Sequence, residues 1–90
     1  MNISDIRVKI LDSGGKIKAV AAITFDACFV VHDVKIIQGA ESLFVTMPGR
    51  KSTDGKYKDI AHPIDTPTRE MISSAVLNAY EEARQAAARA

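Results

Sequence analysis

The stretch Leu43–Arg69, LFVTMPGRKSTDGKYKDIAHPIDTPTR, holds the transitions on which the fold turns. Leu43 to Met47 reads as an apolar, β-branched strand, the fourth of the chain. Pro48 to Gly55 is a basic, glycine-punctuated connection closed by the turn dipeptide Asp54-Gly55. Lys56 to Ala61 returns as a fifth strand. Pro63 ends the sheet, because proline has no N–H to offer a ladder. Thr66-Pro67 then reads as a helix start, with threonine as N-cap and proline at the first helical position. From there a helix runs towards about Arg84. Ile72, Val76, Ala79 and Ala83 recur at helical spacing, and Ala75 and Tyr80 widen that stripe into a sheet-facing surface.

Upstream, Asp5 to Leu11 alternates, with Ile6, Val8 and Ile10 on one face and Arg7 and Lys9 on the other. Asp12-Ser13-Gly14-Gly15 signals a turn, and Lys16 to Phe25 returns as the second strand. A tight turn would set Leu11 against Lys16, Ile10 against Ile17 and Lys9 against Lys18. Like charges so placed repel. Either they are solvated beside acids such as Asp5 and Asp33, or a polyanion lies across them. Asp26-Ala27 makes the next reversal, and Cys28 to Ile37 forms a long third strand, apolar on both faces and therefore central. The expected fold is α+β: a five-stranded antiparallel meander with one C-terminal helix on one face. The domain covers residues 1–84, and the alanine-rich tail 85–90 is expected to fray. One helix covers one face only, so the bare side and any open edge favour homodimerisation through the sheet.

Composition narrows the function. Ninety residues with 47% apolar and 26% charged content suit one globular domain of modest stability. A net charge of +1, from twelve cations and eleven acids, argues against a chain that coats nucleic acid or membrane by bulk charge. The single cysteine, Cys28, fits a reducing compartment. The opening residues lack the pattern of a signal peptide. A cytoplasmic, soluble protein is expected. Catalysis finds little support. His32 and Asp33 are adjacent, which on a regular strand sends them to opposite faces, so a structural role is expected for His32. Cys28 lacks the surroundings of a nucleophile and reads as a small apolar packing residue. The loop Gly49-Arg50-Lys51-Ser52 lacks P-loop spacing. No enzyme, metal, cofactor, membrane or small-molecule substrate is expected.

What remains is the basic cluster Arg50, Lys51, Lys56 and Lys58, followed by Arg69 in the first helical turn, where free N–H groups also favour phosphate. From the residues alone this is either a solvated loop or a phosphate-binding one.

The order of several longer words bears on that choice. Ile-Ser-Asp-Ile-Arg-Val near the start, Ala-Ile-Thr-Phe-Asp, Phe-Val-Val-His-Asp-Val-Lys-Ile-Ile, Leu-Phe-Val-Thr-Met-Pro and Lys-Asp-Ile-Ala-His-Pro-Ile with Thr-Arg following span nearly the whole chain. In that order they resemble the bacterial stage V sporulation protein G (SpoVG) family of septation proteins. The resemblance implies a small homodimer that binds DNA and also RNA. It implies a part in asymmetric septation, sporulation and control of gene expression. It associates DNA contact with Arg50, Lys51, Thr66, Thr68 and Arg69, to which the charge cluster adds Lys56. Gly49 departs from the family pattern, where a small polar residue is common. The rival expectation is a protein-interaction module acting on division or transcription machinery without touching nucleic acid.

Overall fold

The computed structural model describes residues 2–11 and 14–89. Strands β1 (Ile3–Ile10), β2 (Ile17–Phe25), β3 (Phe29–Gln38) and β4 (Leu43–Thr46) form an antiparallel meander in the order β1-β2-β3-β4. Helix α1 (Thr66–Arg89) packs on one face, against β1, β2 and β4. The α+β class and the single covering helix are as expected. The fifth strand is not part of this sheet. β5 (Gly49–Lys51) and β6 (Tyr57–Asp59) make a separate two-stranded ribbon. The cause is Pro48, which is buried two residues after the end of β4 and cannot donate to a ladder. Its carbonyl accepts the Ile60 N–H at 2.7 Å, so the chain between them stands off as its own hairpin.

Alternation builds the core. Ala19, Ala21, Ile23 and Phe25 of β2 and Val34 and Ile36 of β3 are buried against Ile72, Val76 and Tyr80 of the helix. The last three are spaced four apart, which puts them on one helical face. Ile23, Ile36, Val34 and Val76 are the largest wholly buried side chains, and each contributes roughly 1.5–3 kcal/mol by leaving water. Ala75, Ala79 and Ala83 flank this line, half-buried. Beyond Arg84 the residues to Arg89 continue the helix. Glu81 pairs with Arg84 one turn on, and because the helix continues to Arg89 this acid lies more than two turns from the C-terminal end, clear of the unfavourable pole of the dipole.

The β1–β2 register differs from the sequence expectation by two residues. Ile10 faces Ala19, Val8 faces Ala21 and Lys9 faces Val20. The Leu11 N–H donates to the Lys18 carbonyl at 2.9 Å, so Leu11 lies against Lys18 and not against Lys16. Asp12 and Ser13, part of the expected turn, lie outside the described residues. Lys18 bulges between Ile17 and Ala19, and Ile17 pairs instead with Ile37 of β3. An even shift keeps each side chain on its face. The expected clash of Lys9 with Lys18 is absent.

Asp26 and Ala27 adopt φ of 51° and 55°, and the Cys28 N–H closes the turn onto the Phe25 carbonyl at 3.0 Å. The start of β1 holds this turn: Asn2 N–H donates to the Asp26 carboxylate at 3.0 Å, and Ala27 N–H donates to Ser4 Oγ at 2.9 Å.

Candidate nucleic-acid interface

The ribbon is a hairpin whose loop chemistry is legible residue by residue. Ser52 N–H donates to the Lys56 carbonyl at 2.8 Å, and Gly55, at φ 86°, supplies the left-handed step a three-residue loop needs. Asp54 accepts from the Ser52 hydroxyl and from the Lys56 N–H. Those two bonds, the hydroxyl first, hold its carboxyl below the usual range. At the base, Gly49 opposes Asp59, and a Cβ on Gly49 would lie 2.9 Å from the Lys58 carbonyl oxygen. Only glycine lets the two strands approach so closely.

Pairing then decides which cations act together. Arg50 faces Lys58, and Lys51 faces Tyr57. Alternation therefore puts Arg50, Lys56 and Lys58 on one face of the ribbon, and Lys51 with Tyr57 on the other. All four cations are exposed, and none forms an ion pair among the described residues. Arg50, Lys51 and Lys58 line a groove of about 470 Å³ with Ser52, Thr53, Asp59 and Ile60. Lys58, part of the basic cluster but outside the expected contact set, is the cation that pairing brings opposite Arg50.

The helix start differs from its expected form. Thr66 is not the N-cap. Asp65 is: its carboxylate accepts the Thr68 N–H at 2.8 Å, and its carbonyl accepts the Arg69 N–H at 3.2 Å. Aspartate caps better than threonine because its charge also meets the positive end of the helix dipole. The Thr68 side chain and then its N–H lower the Asp65 carboxyl below its ordinary value. The free N–H groups expected to attract phosphate are thus partly occupied by the chain's own anion. Attraction here falls to Arg69, exposed and 3.4 Å from the Pro63 carbonyl through Nη2. Thr66 and Arg69 share a cleft of about 490 Å³ with His62, Pro63, Ile64 and Asp65. Thr68 is half-buried and lines a pocket with Phe25, Phe29, Met47 and Ile72.

Of the six expected contact residues, Arg50 and Lys56 share one face of the ribbon, Lys51 takes the other, Thr66 and Arg69 line the cleft, and Thr68 lines the neighbouring apolar pocket. Residues 60–63 join the two groups. Other candidates resolve differently from the sequence expectation. His32 and Asp33 do not take opposite faces in the regular way. Both fall in a bulge opposite Ala22, with Asp33 at φ 63°, and both line one cleft. His32 is exposed there. Cys28 is exposed at the turn and not packed in the core. Among the described residues no three His, Cys, Asp or Glu side chains are grouped to hold a metal ion. No helix of the described residues is long and apolar enough to cross a membrane.

The SpoVG family model matches residues 1–82. The chain belongs to the SpoVG family. Its relatives include proteins named "Putative septation protein SpoVG" from three bacteria. That of Clostridium perfringens is 52% identical over 84 residues, 93% of each chain. That of Heliobacterium modesticaldum is 55% identical over 83 residues, 92% of this chain and 93% of the relative. That of Clostridium acetobutylicum is 54% identical over 84 residues, 93% of this chain and 88% of the relative. The ribbon, the cleft and the capped helix start all fall inside the SpoVG match.

Proposed function

We propose that this SpoVG-family chain is a homodimeric, non-enzymatic regulator that binds DNA and RNA in the cytoplasm and takes part in septation. The observation that carries the reading is the Arg50–Lys58 cross-strand pair on a ribbon that contributes nothing to the core. Two cations opposed on an exposed hairpin repel each other, and a bound phosphate backbone removes that cost. Arg50, Lys51, Lys56 and Lys58 would fix register on phosphates, while Thr66 and Arg69 in the neighbouring cleft could reach further. The septation role rests on the relatives' names.

Dimerisation is supported by the edge of β3. β4 pairs only with Lys35–Gln38, so the Phe29–Asp33 half of that edge has no strand partner among the described residues. On that half Phe29 and Val30 are 64% and 44% exposed. An unpaired edge beside exposed apolar side chains recruits another chain. The same edge is what a protein-interaction module would use, which keeps that rival specific.

The test is a gel-shift or anisotropy titration of wild type and the Arg50→Ala/Lys51→Ala variant against duplex DNA and RNA at two salt concentrations. Wild-type binding is expected to weaken steeply with salt. The variant is expected to lose about tenfold or more in affinity and about two units of the log-log salt slope, near 0.9 per phosphate on duplex. A folded, dimeric variant that binds undiminished overturns the reading. Binding that is absent or insensitive to salt in wild type favours the protein partner.

A further inference from the structure

The sheet face turned away from the helix carries a second set of cations, apart from the ribbon and the helix start. Register lines up Lys9, Val20, Lys35 and Thr46 as one row across β1 to β4. At ordinary strand spacing the two lysines stand about 10 Å apart. Arg7, two residues along β1, and Lys18, at the β2 bulge, share this face. Arg7 bonds Asp5 at 3.0 Å, whereas Lys9, Lys18 and Lys35 form no ion pair among the described residues. Two other acids share clefts with these cations: Asp33 lines one with Arg7 and Lys9, and Asp59 lines one with Lys35.

Between and beside the cations the face is apolar. Ile37 faces Phe44, which is 46% exposed. A groove of about 340 Å³ separates this face from the ribbon and is lined by Lys35, Ile37, Thr46 and Tyr57. Tyr57 is 76% exposed. Cations that follow a backbone, alternating with exposed aromatic rings, suit unpaired nucleotides: phosphates meet the lysines and bases stack on the rings. A duplex keeps its bases stacked inside and leaves such rings idle. Charge complementarity thus selects a polyanion, and the exposed rings select a single strand.

We propose that the open sheet face binds single-stranded nucleic acid, with Lys9 and Lys35 on phosphates and Phe44 and Tyr57 as stacking platforms. The proposal rests on the nucleic-acid reading above but uses different residues. It is tested by anisotropy with a fluorescein-labelled oligo-dT of about 20 nucleotides and a mixed-sequence duplex of the same length. Lys9→Gln/Lys35→Gln is expected to weaken oligo-dT binding about tenfold and to reduce its salt slope by about 1.4, at about 0.7 per phosphate on single strands. Duplex binding is expected to change less than about twofold. Phe44→Ala is expected to weaken oligo-dT about tenfold with the slope unchanged, as lost stacking requires. If the lysine variant misfolds by circular dichroism, Phe44→Ala alone decides the matter through the same single-strand-specific loss. Wild-type affinity for oligo-dT in both folded variants overturns the proposal while leaving the ribbon reading intact. Equal loss on both ligands reduces the face to general charge and overturns it too. A change in oligomeric state in either variant assigns the face to contact between copies, again against the proposal. Binding of neither ligand by wild type removes the ribbon reading itself.

Discussion

Asp65 shows how one side chain settles a boundary that two neighbours seemed to own. Thr66-Pro67 is a fair helix start in sequence, but the residue before it carries the charge and reach to cap the Thr68 N–H. Asp54 does similar work in the ribbon loop. Both carboxyls are lowered by hydrogen bonds made only in the fold. Their stabilising effect is therefore present above the unfolded carboxylate value near about 4 and is lost as pH falls through the lower folded values. Thermal melts from pH 7 down to about pH 2 check this. Asp65→Asn, which keeps a capping oxygen but cannot ionise, is expected to flatten the acid limb of the wild-type curve without abolishing folding. Gly49 acts by absence. Gly49→Ala puts a Cβ 2.9 Å from the Lys58 carbonyl oxygen, and backbone there has little room to yield. The variant is expected to separate the ribbon strands and speed hydrogen exchange at the Arg50 and Lys58 amides, which form the hydrogen-bonded pair of the ribbon, while core amides stay protected.

At the scale of elements, the four strands of the main sheet and the single helix follow from pattern. Alternation in β1 and β2, β-branched density in β3 and the four-residue spacing of Ile72, Val76 and Tyr80 each have a local physical cause. The ribbon was legible only in part. Lys56 to Ala61 has strand character, and its partner Gly49–Lys51 lies inside what reads as a loop. Three-residue strands give too short a run for a periodic signal. The same shortness hid the pairing of Arg50 with Lys58, which brings two cations of the cluster face to face.

Across the whole molecule, stability rests on one thin core between sheet and helix. Ile23 lies at its centre, with no solvent exposure. Ile23→Ala is expected to cost roughly 2–5 kcal/mol, a large share of the stability of a domain this small. Chemical denaturation with the slope unchanged would register it as a shift of midpoint alone. Basic surfaces occupy both the ribbon and the open sheet face, away from that core. Substitutions there, such as those at Arg50, Lys51, Lys9 and Lys35, should therefore move ligand affinity with little effect on the midpoint.

The sequence by itself determined the antiparallel meander, its single covering helix, the sheet-facing stripe of that helix and the kinship with the SpoVG family. These depend on periodicity, turn chemistry and word order, all of them local in the chain. Tertiary structure decided the rest: a two-residue register shift, a separate ribbon, an Asp65 cap, an exposed Cys28, and which cations face one another. Each depends on where a distant strand or carbonyl comes to lie, such as Lys18 against Leu11 or Pro48 against Ile60. Local propensity carries no information about such encounters, because they are fixed by packing between segments far apart in the chain.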